Sequence, residues 1–179
     1  EVTPAFLDVL RRHGARATFF VIGSYAERHP ELVAAIRAEG HELANHLYLD
    51  EPSIRLGDQE FLAKLRRAEA AIGLEGPVKW FRPGSGWIDE GMVELLHREG
   101  YRACLASVYP LDLIAPRWLT EWQFTANVQP GAILVLHDGG PSRVQNIAIL
   151  DAVLGQLTER GVRVVTVSEL VAMGRPTGK

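Results

Sequence analysis

The chain has 179 residues, 47% hydrophobic and 23% charged, with a net charge of −3. That length suits one substantial core, and the near-neutral charge gives no footprint for nucleic acid or an anionic membrane surface. A single cysteine, Cys104, excludes an intrachain disulfide and a cysteine-built zinc site, and no apolar run approaches membrane-spanning length. The sequence opens on Glu1 without an initiator methionine, as expected of a processed or trimmed piece of a longer chain.

In chain order, Thr3-Pro4 reads as a cap and first-turn proline opening a helix, with Phe6, Leu7, Val9 and Leu10 as its apolar stripe. Ala17 to Ile22 is a β-rich apolar run and reads as a buried strand closed by Gly23-Ser24. A helix opens at His29-Pro30 and ends at Gly40, followed by a short strand at His41 to Asn45. His46 to Gly57 is polar and proline-containing, a loop. Asp58 to Ile72 follows as a helix with Phe61, Leu62, Leu65 and Ala68 on one face.

Val78 to Phe81 is a short strand running into the loop Arg82 to Trp87, and Asp89 to Arg98 is a helix. Tyr101 to Val108 is a strand, Tyr109 to Asp112 its loop, and Arg117 to Val128 a helix. Ile133-Leu134-Val135-Leu136 reads as a strand buried on both faces, ending in His137-Asp138-Gly139-Gly140. Val144 to Arg160 is an apolar helix, Val162 to Val167 the last strand, and Ser168 the cap of a final helix. Arg175 to Lys179 reads as a frayed tail. Alternating strands and helices with no dinucleotide or phosphate-loop fingerprint favour one barrel-like α/β domain over residues 1–179.

Four expected strand ends carry residues able to do chemistry: Asn45-His46 with Asp50, Arg82, Asp112, and His137-Asp138. Parallel α/β folds gather such ends on one face. His46 and Asp50 are candidate ligands of zinc or another divalent metal, needing a third donor from elsewhere. Arg82 could orient a carboxylate. Histidine titrates near neutral pH, so His137 could act as general acid, with Asp112 tuning it. His13, His29 and His97 read as structural or solvent-facing, and His41 lies at a strand start, opposite the expected active face. Among the tryptophans, Trp80, Trp118 and Trp122 read as core, whereas Trp87 could line a sugar groove.

Five stretches in this order resemble the polysaccharide deacetylase family, the NodB-homology domain of carbohydrate esterase family 4. They are Ala17 to Gly23, Gly40 to His46, Phe81-Arg82-Pro83, Leu134 to Asp138 and Gly161 to Leu170. The resemblance implies a distorted, incomplete (β/α) barrel. It also implies hydrolysis of an N-acetyl or O-acetyl group on a sugar polymer, with a divalent cofactor, commonly zinc, and cobalt, manganese or nickel as alternatives. By that resemblance His46 is a metal ligand, His137 the general acid, Arg82 the orienter of the catalytic base, and Asp112 the partner of the catalytic histidine. Asp138 and Trp87 fall to the substrate side. An acetylated carbohydrate is the implied partner, in a secreted or cell-envelope setting.

Two departures from the family pattern stand out. The Thr-Phe-Asp-Asp-Gly motif, which supplies the base and one metal ligand, would lie ahead of Glu1, so the first strand is expected to be missing and activity impaired. A barrel edge left open in this way could be covered by a homo-oligomer. Asp50 stands where the family has a second histidine, and Leu47 where it has Ser or Thr. The alternative function is a non-catalytic carbohydrate-binding or scaffold protein on the same fold.

Overall fold

The computed structural model describes residues 2–108, 115–139 and 143–174. They divide into two compact units, each interrupted in sequence. One comprises Thr18–Ala38 and Leu43–Leu105; the other comprises Glu1–Ala17, Glu39–Glu42 and Ala106–Lys179.

The first unit is built on a four-stranded sheet in the order β1 (Thr18–Val21), β2 (Glu42–Asn45), β3 (Lys79–Phe81) and β4 (Tyr101–Ala103). β2 and β3 run parallel with Asn45 opposite Phe81; β3 and β4 run parallel with Lys79, Trp80 and Phe81 opposite Tyr101, Arg102 and Ala103. Spatial order follows chain order because each crossover carries a helix back to the next strand. Those helices are α2 (Gly23–Arg28) and α3 (Pro30–Ala38), then α4 (Asp58–Ile72), then α5 (Glu90–Arg98). The core gathers Leu47, Phe61, Leu65, Phe81, Met92, Leu96 and Tyr101, with Phe61 and Phe81 edge to face at 5.5 Å. β1 is an edge strand of this sheet and only half-buried, against the expectation of a buried strand.

β1 ends at Val21, ahead of Gly23-Ser24, and these two residues also open α2, a helix the sequence reading lacks. Glycine is needed at 23 because a Cβ there would sit 2.6 Å from the Ala68 Cα on α4, and only a bare backbone lets α2 approach so closely.

The second unit contains α1 (Thr3–Arg12), α6 (Arg117–Asn127), α7 (Val144–Glu159) and α8 (Val167–Gly174). α7 packs against both α1 and α6. Its core is Val108, Phe124, Ile149, Val153 and Leu157, flanked by Leu134, Leu136, Val162 and Val164. Leu134 and Leu136, like Val162 and Val164, meet this core at every second residue, the side-chain period of extended backbone. Neither run forms a strand among the described residues. Ile133 to Leu136 carries a single isolated bridge, Val108 with Leu134, and residues 162–166 carry no assigned ladder. Tyr101 to Val108 likewise keeps a ladder only over Tyr101–Ala103. An apolar run reports burial, whereas a strand also needs consecutive partners on a neighbouring chain segment.

Two expected caps also differ. Thr3 is the first residue of α1 rather than its cap, and its hydroxyl donates to Asp138 Oδ2 at 2.8 Å. α8 is capped by Thr166 rather than Ser168. The Glu169 amide donates to Thr166 Oγ1 (3.2 Å) and the Thr166 amide to Glu169 Oε2 (3.0 Å), a reciprocal capping box. Ser168 instead bonds the Glu42 carboxylate.

Candidate functional site

In the first unit the site grows from the carboxyl ends of β2, β3 and β4. Asn45 ends β2 fully buried, and its Oδ1 accepts the Leu47 amide at 2.8 Å. This side-chain turn holds Leu47 in the left-handed region, φ 67°, although its side chain is completely buried. A bulky residue in that conformation costs on the order of 1–2 kcal/mol. The strain sits immediately after His46.

His46 is fixed from both its backbone and its ring. Its amide donates to the Val21 carbonyl at 2.9 Å, and its Nδ1 lies 2.6 Å from the Arg82 carbonyl oxygen. A carbonyl only accepts, so Nδ1 carries a proton and donates it to Arg82. Metal-binding histidines are oriented in this way, one ring nitrogen tied to a backbone carbonyl and the other left to ligate. The donor chemistry at His46 therefore fits a divalent first-row metal.

Asp50 is exposed in the same loop. The loop is braced by Gly84, whose amide donates to Ser53 Oγ at 3.2 Å. A Cβ on Gly84 would stand 2.1 Å from the Glu51 carbonyl oxygen, so the loop beside Asp50 lies directly on that glycine. Among the described residues no group of three or more His, Cys, Asp or Glu side chains gathers in metal-holding positions. The third donor required by a His46–Asp50 pair is therefore not supplied by such a cluster.

Arg82 follows β3. Its guanidinium lies 3.9 Å above the Phe20 ring, and its Nε donates to the Cys104 carbonyl at 3.1 Å. Its Nη2 also lies 3.6 Å from Cys104 Sγ. The stacking and the hydrogen bond fix the plane of the fork, as a carboxylate-orienting arginine requires. Phe20 and Cys104 are the supports that a reading of the sequence misses. Cys104, expected in the core, is buried. Trp87, beyond Arg82 in the same loop, is 58% exposed and presents its indole to solvent.

The second unit holds His137 and Asp138. The His137 carbonyl accepts from Asn146 Nδ2 at 2.7 Å, and Asn146 is fully buried near the start of α7. The Asp138 carboxylate accepts from Thr3, as described above. Burial pushes the Asp138 carboxyl above its ordinary range, with the Thr3 hydroxyl acting in the opposite direction. Asp112 lies outside the described residues.

Of the histidines read as structural, His13 binds Asp151 Oδ1 at 2.7 Å and His29 lies 3.2 Å from Glu31. His41 is buried and accepts the Ala17 amide at Nδ1. Trp80 is buried as expected, but Trp118 and Trp122 are 67% and 61% exposed on α6. Thr120 and Phe124 supply the buried face of that helix, so the i, i+4 tryptophan pair points away from it. No described helix is long and apolar enough to cross a membrane.

A family model described as "Polysaccharide deacetylase" matches residues 1–104. A peptidoglycan-N-acetylglucosamine deacetylase of Bacillus cereus is 36% identical over 176 residues, 94% of this chain and 81% of the relative. A chitooligosaccharide deacetylase of Azorhizobium caulinodans is 33% identical over 179 residues, covering 90% and 84%. Among solved structures, the Bc1960 peptidoglycan N-acetylglucosamine deacetylase matches with a TM-score of 0.89 at 27% identity, over 95% of this chain and 81% of that one. A mutant of BA3943, a CE4 family pseudoenzyme with restored enzymatic activity, matches with a TM-score of 0.84 at 25% identity, over 95% and 62%.

Proposed function

Since this chain belongs to the polysaccharide deacetylase family, with the NodB-type α/β fold of an incomplete (β/α) barrel, we propose that it acts as a metal-dependent amidase on acetylated glycans. The substrate unit is an N-acetylated hexosamine within an oligomer or polymer, the chemistry that its similar relatives are named for. The observation that carries this reading is the His46 imidazole at the end of β2, its Nδ1 committed to the Arg82 backbone carbonyl as in histidines oriented for metal binding.

His46 and Asp50 hold the metal in this reading. When bound, a divalent metal such as zinc polarises the acetyl carbonyl and a water molecule. Arg82, held flat by Phe20 and Cys104, orients the base carboxylate. Hydrolysis adds the water oxygen to the acyl carbon and breaks the C–N bond. His137 gives its proton to the departing amine nitrogen, with Asp112 supporting it and Asp138 and Trp87 on the sugar side. The base and one metal donor belong to the family's Asp-Asp motif, which the resemblance sets ahead of Glu1.

The test is acetate release from N-acetylated chitooligosaccharides with added zinc. It uses the chain as it stands and the chain extended ahead of Glu1 by a Thr-Phe-Asp-Asp-Gly strand. The extended chain is expected to release acetate, and His46→Ala or His137→Ala in it should lower the rate by about 100-fold or more. Failure of the extended chain to deacetylate any acetylated glycan would overturn the proposal. The likeness to BA3943 and the aspartate at position 50 favour a second reading, a sugar-binding domain without catalysis. That reading predicts glycan affinity unchanged by a chelator.

A further inference from the structure

α6 carries two tryptophans on its outer face. Trp118 and Trp122 are mostly exposed, while Thr120 and Phe124 form the buried side of the helix. Phe124 joins a core with Ile149 and Val153 of α7, so α6 is seated through the face opposite the indoles. An exposed tryptophan gains nothing from burial and has only middling helix propensity, so folding does not call for this pair. Four residues of helix rise about 6 Å, which sets the two indoles side by side, roughly one pyranose unit apart. Ala126, one turn further on, continues the stripe with a small exposed residue.

The composition of α6 narrows what such a face can hold. Its charged residues are Arg117 and Glu121, and they pair with each other. A helix that lies on a membrane needs a polar face rich in Lys and Arg, and a nucleic-acid site needs cations free to meet phosphates. A neutral patch around two indoles offers neither. A second copy of the chain is poorly served as well. The two indoles expose roughly 200–300 Å² together, against about 800 Å² per partner in a stable interface. A sugar chain fits. Pyranose rings are uncharged, present flat C–H faces that stack on an indole, and carry hydroxyls at the ring edge that can meet polar groups such as Arg117 and Glu121.

We propose that Trp118 and Trp122 form a stacking platform for two consecutive pyranose units of an N-acetylated glycan, using none of the residues assigned to catalysis. The inference rests on the reading of the chain as acting on such glycans. The platform gives the polymer a second point of attachment. A long glycan held there is offered to the rest of the chain at raised effective concentration.

The experiment uses the chain as it stands, with EDTA present so that no metal takes part. The probe is the N-acetylglucosamine hexamer, added to ¹⁵N-labelled protein while the indole Nε1–H signals are followed. Trp118→Ala and Trp122→Ala assign their signals. Both signals should shift together and saturate, while that of buried Trp80 stays in place. The double alanine variant should bind the hexamer about tenfold more weakly, with a thermal midpoint close to wild type because both side chains lie outside the core. Indole signals unmoved by the hexamer, or a folded double variant with wild-type affinity, would overturn the proposal. So would dimerisation in sedimentation that the double variant loses, without a sugar response, since the face would then belong to a second copy. Acetate release from the Asp-Asp-extended chain is read separately. No release with responsive indoles refutes the proposed activity and leaves the platform standing; release with silent indoles does the reverse.

Discussion

Around His46 the backbone is held by neighbouring strands; around His137 the side chains of Asn146 and Thr3 take part in the anchoring. His46 follows a residue paired in the β2–β3 ladder and donates its own amide to Val21. His137 follows a run with one isolated bridge, and its carbonyl is held by Asn146 while the next residue is held by Thr3. Ladder bonds belong to the main chain and survive most changes of side chain. Side-chain anchors depend on single residues. Two histidines that look alike at the ends of apolar runs are therefore sensitive to different classes of mutation.

The largest effect expected from this difference is at Phe81, fully buried and paired on both flanks in the sheet. Phe81→Ala should cost about 3–5 kcal/mol in urea unfolding. In hydrogen exchange, amides of β2 to β4 should lose their lead over those of Leu134 to Leu136; equal protection in both regions of the wild type would break the comparison. Next comes Gly84→Ala. The added Cβ meets the Glu51 backbone, and moving the loop apart should cost about 1–3 kcal/mol and weaken metal retention through Asp50. A crystal structure of the variant with the Glu51 loop unmoved would refute this.

Asn146→Ala tests the other half. It leaves the His137 carbonyl without this donor, an expected loss of about 1–3 kcal/mol by thermal unfolding. In the Asp-Asp-extended chain it should lower kcat and leave zinc affinity untouched. The smallest effect concerns pH. Burial lowers the His41 pKa, with Glu39 pulling it the other way, so the unfolded chain takes up the proton first. Stability from His41 is then complete above its unfolded value of about 6.5 and is lost as pH falls from there through the lowered folded pKa. His41→Asn, which keeps an acceptor for the Ala17 amide, should flatten this acid slope in denaturation midpoints measured from pH 8 to pH 5. An unchanged slope would assign the acid sensitivity elsewhere.

Much of the frame was legible from local pattern. The helical stripe of Phe61, Leu62, Leu65 and Ala68 marked α4, whose buried face is Phe61, Leu65, Ala68 and Ile72, and the apolar span from Val144 marked α7. The ordered motifs around His46, Arg82 and His137 pointed to the family that the relatives establish. Such signals survive because helix stripes and short motifs lie within a few turns of chain.

What escaped the sequence was decided by partners distant along it. Ser168 reads as the cap of the last helix, but the reciprocal bonds run between Thr166 and Glu169, while Ser168 is engaged by Glu42, 126 residues away. Trp118 and Trp122 look like core until α6 turns Thr120 and Phe124 inward. Asn45 and Tyr101 are 56 residues apart and meet only because β2, β3 and β4 lie side by side. The sequence by itself determined the helices other than α2, the family and the identity of the chemical groups. The tertiary structure decided which nitrogen of His46 faces the Arg82 carbonyl and which runs become strands. Hydrogen bonds and ladders require two segments at once, and one segment's composition cannot name its partner.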